Sequence, residues 1–534
     1  MEFRAILFDT QSIQRYIFSG NRLKTNIGAS YLVDRVFSDA LLPVIREILG
    51  EGELDDVTWQ KEEEPDWTKM ETKARVGYIG GGNALILFQP DTEDAVLRAV
   101  VSRFTKHLLV AYPGLKTGAA IGTLSLDAAG RMETPHDLTA LVHALKDGQN
   151  TVFPVVNVPY TGLTLSCEVN GEAATAYDRD EKRFFSAEVE AKLLADRKSN
   201  GQEAPAEAEL WHKLKSVLPT DKAASFLDGF AFPMEIGELG QRETEDYIAI
   251  VHIDGNNMGQ KFADCDTLTK RKNMSQSIRQ ATISAFTELL ETIEQEYDTY
   301  SSYLTLHTKD GKRFLPVRPL VLGGDDMTFV CAAKVAIPYA KFLMENLMAR
   351  GIASCGGIAI LPSSYPFFRG YEMAEQLCGA AKASMRPLYN ETKQDSCWLD
   401  FALLHGEQAP TLEQIREQEY HGALGNMHFG PYRVDAPAAQ EKSLAALLQG
   451  VSSLRQSMPR NKIKELRRVL ARGAHEQREF LAQLRYLGQS GEAMRLPQVA
   501  AWKPYEESLW HQGRTPYIDV IELLDYIPAE KGAE

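Results

Sequence analysis

The sequence predicts an α+β fold, and three observations carry that prediction. One order of elements, β-α-β-β-α-β, is written twice along the 534 residues. Each copy centres on two apolar runs joined by a glycine turn, RVGYIGGGNALILF in the first and PLVLGGDDMTFVC in the second. Beyond about residue 407 the apolar residues fall at helical spacing. A chain this long exceeds a single core. The expected architecture is therefore two ferredoxin-like units over 1–150 and 241–406, a small connecting domain over 151–240, and a C-terminal helical domain over 407–534.

In the first copy, FRAILFD (3–9) reads as a strand and a helix-prone stretch runs on to about Ile48. RVGYI and ALILF follow as short strands, AVLRAVVSRFTKHLLVAY has helical spacing, and KTGAAIGTLSL returns as a strand. The second copy opens with DYIAIVHID (246–254), and ISAFTELLETIEQEY is the clearest part of its helix. PLVL and MTFVC flank the GGDD turn; PYAKFLMENLMAR is an amphipathic helix and ASCGGIAIL a strand. YEMAEQLCGAAKASM then reads as a helix and CWLDFALL as a last strand. Between the copies, EVEAKLLADRKSNGQEAPAEAELWHKLKSVL mixes helical pattern with a polar, Gly/Pro-containing break. In the last part, Ser457-Met458-Pro459 marks a helix start and Gly473 a stop.

Composition excludes several classes. The chain is 44% apolar and 25% charged, and no apolar run approaches the roughly 20 residues that span a bilayer. MEFRAILFDTQ lacks the charged start and apolar core of a signal segment, so the expectation is a cytoplasmic protein without membrane contact. The six cysteines form no C-x-x-C pair, which argues against a zinc knuckle or a disulfide framework. A net charge of −15 argues against a surface coated for nucleic acid. The charge is uneven, however: residues 51–66 carry eight acids and one lysine, and residues 455–495 carry ten Lys/Arg against four Glu. That basic segment is read either as a solvated helical face or as a surface for RNA or an acidic partner.

The chemistry concentrates in the second copy. Transfer of a nucleotidyl group by two metal ions needs carboxylates on adjacent strands, with the cations about 4 Å apart. Strand IAIVHID ends in Asp254, and the central hairpin supplies Asp325 and Asp326. In a β-α-β-β-α-β sheet the first strand lies beside that hairpin, so the three acids converge as catalytic and metal-ligating candidates for two Mg²⁺ or Mn²⁺ ions. The loop Gly255, Asn256, Asn257, Met258, Gly259 leads into a helix whose backbone N–H groups suit a triphosphate, as do the turn glycines Gly323 and Gly324. Lys382, on a later helix, is the candidate phosphate contact. In the first copy Gly82 and Asn83 stand where the second has Asp325 and Asp326, so the turn itself does not require acids. Asp9 corresponds to Asp254, and without hairpin acids the first copy is expected to be catalytically silent.

These residues resemble a known family, the large palm-domain subunit of type III CRISPR effector complexes, itself distantly related to GGDEF and class III nucleotidyl cyclases. IQRYIFSGNRLKTNIGASYLVDRVF (13–37) looks like the family's first palm. HIDGNNMGQKF, LVLGGDDMTFV, ASCGGIAIL, AAKAS and WLDFALL look like its second, and MPRNKIKELRRVL is similar to its C-terminal helical domain. The resemblance implies ATP, or another nucleoside triphosphate, as substrate and a cyclic oligoadenylate as product, in antiviral defence. It also implies RNA and other effector-complex subunits as partners. Three departures stand out. No HD nuclease domain is expected, since the palm begins at residue 1 and the His136-Asp137 pair lacks further clustered histidines. Of the zinc cysteines only Cys167 remains, with Asn170 at the second position. Asn256 stands where the family often has another acid. A GGDEF-like or mononucleotide cyclase, and an inactive nucleotide-binding scaffold, stay open as alternatives.

Overall fold

The computed structural model describes residues 1–61, 65–132, 136–151, 162–179, 181–197, 204–242, 246–405, 411–489 and 494–529. The chain is a mixed α+β structure that divides into two compact units. One comprises Met1–Phe226, Asn257–Ser284 and Leu320–Asp325; the other Leu227–Asn256, Ala285–Pro319 and Asp326–Glu534. Among the described residues no helix is long and apolar enough to cross a membrane.

The first unit holds β1 (Glu2–Gln11), β2 (Leu54–Asp55), β3 (Ala74–Gly80), β4 (Asn83–Phe88) and β5 (Lys116–Ser125) in one sheet of order β2-β3-β4-β1-β5. β1 runs antiparallel to both β4 and β5. Side chains alternate along β1, as a pleat requires. Phe3, Ala5 and Leu7 join a core with Leu138, Leu141 and Leu145 of the helix His136–Thr151. Phe8 lies edge-on to Phe104, 5.2 Å between ring centroids, in the helix Asp94–Ala111. That helix buries Leu97, Val100, Phe104 and Leu108, the apolar stripe seen in the sequence. The hairpin β6 (Ala176–Asp178) and β7 (Arg183–Phe185) follows, and the helix Ala187–Ala195 packs on the helix Leu23–Val36. Cys167 is buried here, and the Asn170 side-chain oxygen accepts from the Glu172 N–H and the Ser186 hydroxyl. The side chains of His136 and Asp137 lie outside the described residues.

The second unit contains β8 (Phe230–Ala231), β9 (Tyr247–Gly255), β10 (Thr308–Lys309), β11 (Lys312–Phe314), β13 (Asp326–Ala332), β14 (Ser354–Pro362) and β15 (Trp398–Leu403). The hairpin partner β12 (Val317–Gly323) precedes β13, and β16 (His421–Gly422), β17 (Gly425–Asn426) and β18 (Tyr432–Arg433) follow β15. The main sheet has the order β12-β13-β9-β14-β15-β18. Hairpin, first strand and fourth strand thus succeed one another in both sheets. β9 is apolar on both faces because both are covered. Ile250 faces the helix Phe367–Thr392, while Val251 is the register partner of Phe329, which packs on Phe286 at 6.0 Å.

The helix Phe367–Thr392 sits so close to the sheet that a Cβ on Gly357 would lie 2.0 Å from the Ala374 carbonyl oxygen. The segment after residue 406 departs from a purely helical reading. β18 pairs antiparallel with β15 and so extends the sheet, and β16 and β17 form a small ladder. Strands of two residues have no periodicity to betray them. Helices Leu444–Ser457, Arg460–Leu470 and Ala474–Gln489 then follow.

Candidate functional site

Strand register brings two of the sequence-predicted acids together. β9 and β13 are antiparallel with Asp326 opposite Asp254, and Cys355 of β14 lies opposite Asp254 on the other side. Opposite residues on neighbouring strands sit about 5 Å apart and point to the same face. The turn Gly324-Asp325 joins the hairpin strands, and Asp325 immediately precedes β13. Gly324 has φ +61°. A glycine first in a two-residue turn suits the II′ class, so the reversed Gly-Asp order is itself a sound hairpin turn. In the first unit the corresponding turn forms without acids: Gly81 and Gly82 both take positive φ, and Asp9 is the register partner of Asn83. The Asp9 carboxylate accepts from Gln149 at 2.8 Å, and burial raises its pKa.

Lys382 lies on the helix Phe367–Thr392 and its ammonium forms an ion pair with Asp254, both side chains being about one-quarter exposed. Burial opposes the lysine's charge, but Asp254 outweighs it and the pKa is raised. The remaining predicted residues fall into two groups. Gly255 ends β9 opposite Ser354; Asn256 is buried, its N–H donating to the Ala353 carbonyl and its amide to the Ser396 carbonyl. The Asn256 side-chain oxygen is buried without a hydrogen-bond partner. Asn257 takes a left-handed conformation at the N-cap position of the six-residue helix Met258–Ala263, in which Met258 is buried and a Cβ on Gly259 would meet nothing within 4 Å. Gly323 closes β12.

Four residues of this face escaped the sequence reading. His252 is two positions before Asp254 and hence on the same face of β9. It is 3% exposed, bonded through Nδ1 to the Thr328 hydroxyl at 3.0 Å, and pushed down to about 4 chiefly by burial. Cys378 is buried in the helix Phe367–Thr392 and donates to the Cys355 carbonyl at 3.3 Å. Tyr371, on the same helix, lies edge-on to His252 at 5.7 Å; burial, Glu375, Asp326 and Asp254 all raise its pKa. Glu375 is raised by burial and by the acids Glu372 and Asp254. The signal for His252 was present, since a polar residue two before a strand-end aspartate shares its face. No local signal marks the three helical residues.

The facing carboxylates of Asp254 and Asp326 offer oxygen donors of the kind a hard divalent cation takes. On the basic C-terminal segment, Arg460 pairs with Asp525 (2.9 Å), Lys462 with Glu465 (2.7 Å) and Arg467 with Glu522 (3.3 Å). Lys464, Arg468 and Arg472 remain exposed.

No protein-family model matches the chain, and no curated protein matches it. Solved structures do. A chain of a Csm1-Csm4 cassette in complex with one ATP superposes with TM-score 0.50 at 12% identity, over 99% of this chain and 70% of that one. The cassette in complex with cA4 gives 0.47 at 12% identity over 98% and 70%. The apo cassette gives 0.42 at 13% over 72% and 53%, so this chain spans about half the length of that relative. At such identities the likeness is one of fold, and it extends over 99% of this chain and 70% of the chain from the cassette in complex with one ATP.

Proposed function

We propose that this chain is a divalent-metal-dependent nucleotidyltransferase that joins ATP into cyclic oligoadenylates and belongs to a type III CRISPR-like defence system. Two palm domains are part of this reading, the second catalytic and the first silent. The observation that carries it is the register pair Asp254–Asp326 at the mouth of the hairpin, set against Asp9–Asn83 at the same place in the other sheet. A turn needs no acids there, so the acids have another task. The fold likeness to a chain of a cassette in complex with one ATP supports a nucleotide as ligand.

The reaction is attack of a ribose 3′-OH on the α-phosphorus of another ATP, with pyrophosphate leaving. Asp254, Asp325 and Asp326 would hold the metal ions, which supply charge stabilisation at the attacking and leaving oxygens. The chain's own contribution is placement. β9 and β13 fix two carboxylates in one register, and Lys382 keeps a cation beside Asp254 for the phosphates. Gly323 and Gly324 carry no side chains, so the approach to Asp325 along the hairpin is open on that side. Asn256 braces the loop after Asp254 through Ser396.

The test is to incubate the full chain with each NTP and Mg²⁺ or Mn²⁺ and to identify products by mass spectrometry. Cyclic oligoadenylates, lost in Asp326→Ala, are the expected result. A cyclic dinucleotide or mononucleotide would transfer the assignment to a GGDEF-like or mononucleotide cyclase. No pyrophosphate under any condition, RNA included, would leave a nucleotide-binding scaffold.

A further inference from the structure

Beside the oxygen ligands lies a second, chemically different set. One ligand atom each from His252, Asp254 and Cys378 falls within 4.8 Å of the other two. They come from two elements: β9 supplies the imidazole and carboxylate two residues apart, and the helix Phe367–Thr392 supplies the thiol. Nitrogen, thiolate sulfur and carboxylate oxygen form a ligand set of the zinc class, with distances of about 2.0–2.3 Å to the metal. Tetrahedral ligands lie about 3.3–3.8 Å apart on those distances, so the cluster has to contract by at most about 1.5 Å. The imidazole is already fixed, by Thr328 at 3.0 Å and by the edge of Tyr371 at 5.7 Å. Orientation of this kind accompanies metal-binding histidines.

A cation already stands here. The Lys382 ammonium is ion-paired with Asp254, and its charge acts on both His252 and Cys378. The polypeptide thus places one positive charge against three potential ligands. We propose that His252, Asp254 and Cys378 form a binding site for a zinc-class divalent cation, which displaces the Lys382 ammonium from Asp254. Binding replaces the Cys378 S–H bond by a metal–sulfur bond, and the proton leaves to solvent; no electron is transferred. The fourth position is left for water. Because Asp254 belongs to both ligand sets, a zinc-class ion and a hard ion compete for one carboxylate.

The experiment uses the full chain, stripped with chelator and titrated with Co²⁺ alone, so its outcome does not depend on any nucleotide chemistry. The expected result is one equivalent of tetrahedral Co²⁺ with a thiolate-to-metal charge-transfer band. The band is lost in Cys378→Ser, and it survives in Cys265→Ser. His252→Gln and Asp254→Asn, the latter at a partly exposed position, each weaken binding at least tenfold, which keeps the test sound if the buried serine variant does not fold. Lys382→Met, lacking the competing ammonium, binds at least tenfold tighter. A titration without the thiolate band overturns the proposal, as does a band that persists in folded Cys378→Ser. Lys382→Met binding no tighter than the parent overturns it as well.

Discussion

Gly357→Ala tests whether the close approach of helix and sheet holds the site together. Gly357 is the register partner of His252, and its φ is an ordinary one, so alanine strains no backbone torsion. The cost is steric. The added Cβ would stand 2.0 Å from the Ala374 carbonyl oxygen, 2.5 Å from the Cys378 nitrogen and 2.9 Å from the Leu377 Cβ. Two of these are helix backbone, which cannot swing aside as a side chain can, so the helix must retreat by about 1 Å to bring the tightest contact to 3.0 Å. Overpacking of this kind costs about 1–3 kcal/mol. The same retreat carries Lys382 and Cys378 away from Asp254, and a misplacement of about 1 Å lowers turnover by on the order of 10²-fold. Gly379→Ala is the control: it lies on the same helix with nothing within 4 Å of its Cβ, and alanine there should stabilise by about 0.5–1 kcal/mol through helix propensity. Urea unfolding and NTP turnover measure both. If Gly357→Ala proves as stable as the parent, the reasoning about this interface is wrong.

Three further outcomes rest on the same sheet and on the buried charges of the C-terminal part. Asp326→Asn and Asp254→Asn each remove one of the facing carboxylates and should abolish metal-dependent turnover while leaving the circular dichroism spectrum unchanged; Asn83→Asp in the other sheet should leave turnover within a factor of two. Lys382→Gln should raise the apparent KM for nucleotide more than it lowers kcat, measured under initial-rate conditions. The third concerns His428, buried between Asp519 and Asp400. Burial opposes its charge, yet the two carboxylates raise its pKa from 6.5 to about 9. A raised folded-state pKa gives stability that is complete below pH 6.5 and lost as pH climbs through 9, about 3 kcal/mol in all. Glu522, pushed up to about 7 mainly by burial, acts with the same sign at lower pH, over roughly 4.5–7. The melting temperature should therefore fall between pH 7 and 9 in the parent and fall markedly less in His428→Gln; an equal slope in both would refute the assignment.

Much of the architecture was legible because it is periodic. The apolar runs of β1, β9 and β13 and the stripe Leu97, Val100, Phe104, Leu108 announce strand and helix directly. The repeat of one element order let Asn83 be set against Asp326, and the strand registers place both opposite the corresponding aspartates. Polar contacts made over long sequence separations were not legible. Cys378 looked like an ordinary core residue, and Lys382, though read as a phosphate contact, gave no sign of its pairing with Asp254. Only the packing of their helix on Gly357, 21 and 25 residues earlier in the chain, brings them to Asp254. β18 was invisible for the same reason, since its two residues are a strand only by virtue of Trp398 and Leu399.

The sequence by itself determined the α+β element order, the turn glycines and the strand-end acids, because these depend on periodicities of two and 3.6 and on local backbone preference. The tertiary structure alone decided which groups from other elements meet those acids. Register is the alignment of two distant segments, and neither segment contains it. So it is the tertiary structure that turned Asn256 inward to Ser396, set Lys382 on Asp254, and placed an imidazole and a thiol within reach of the same carboxylate.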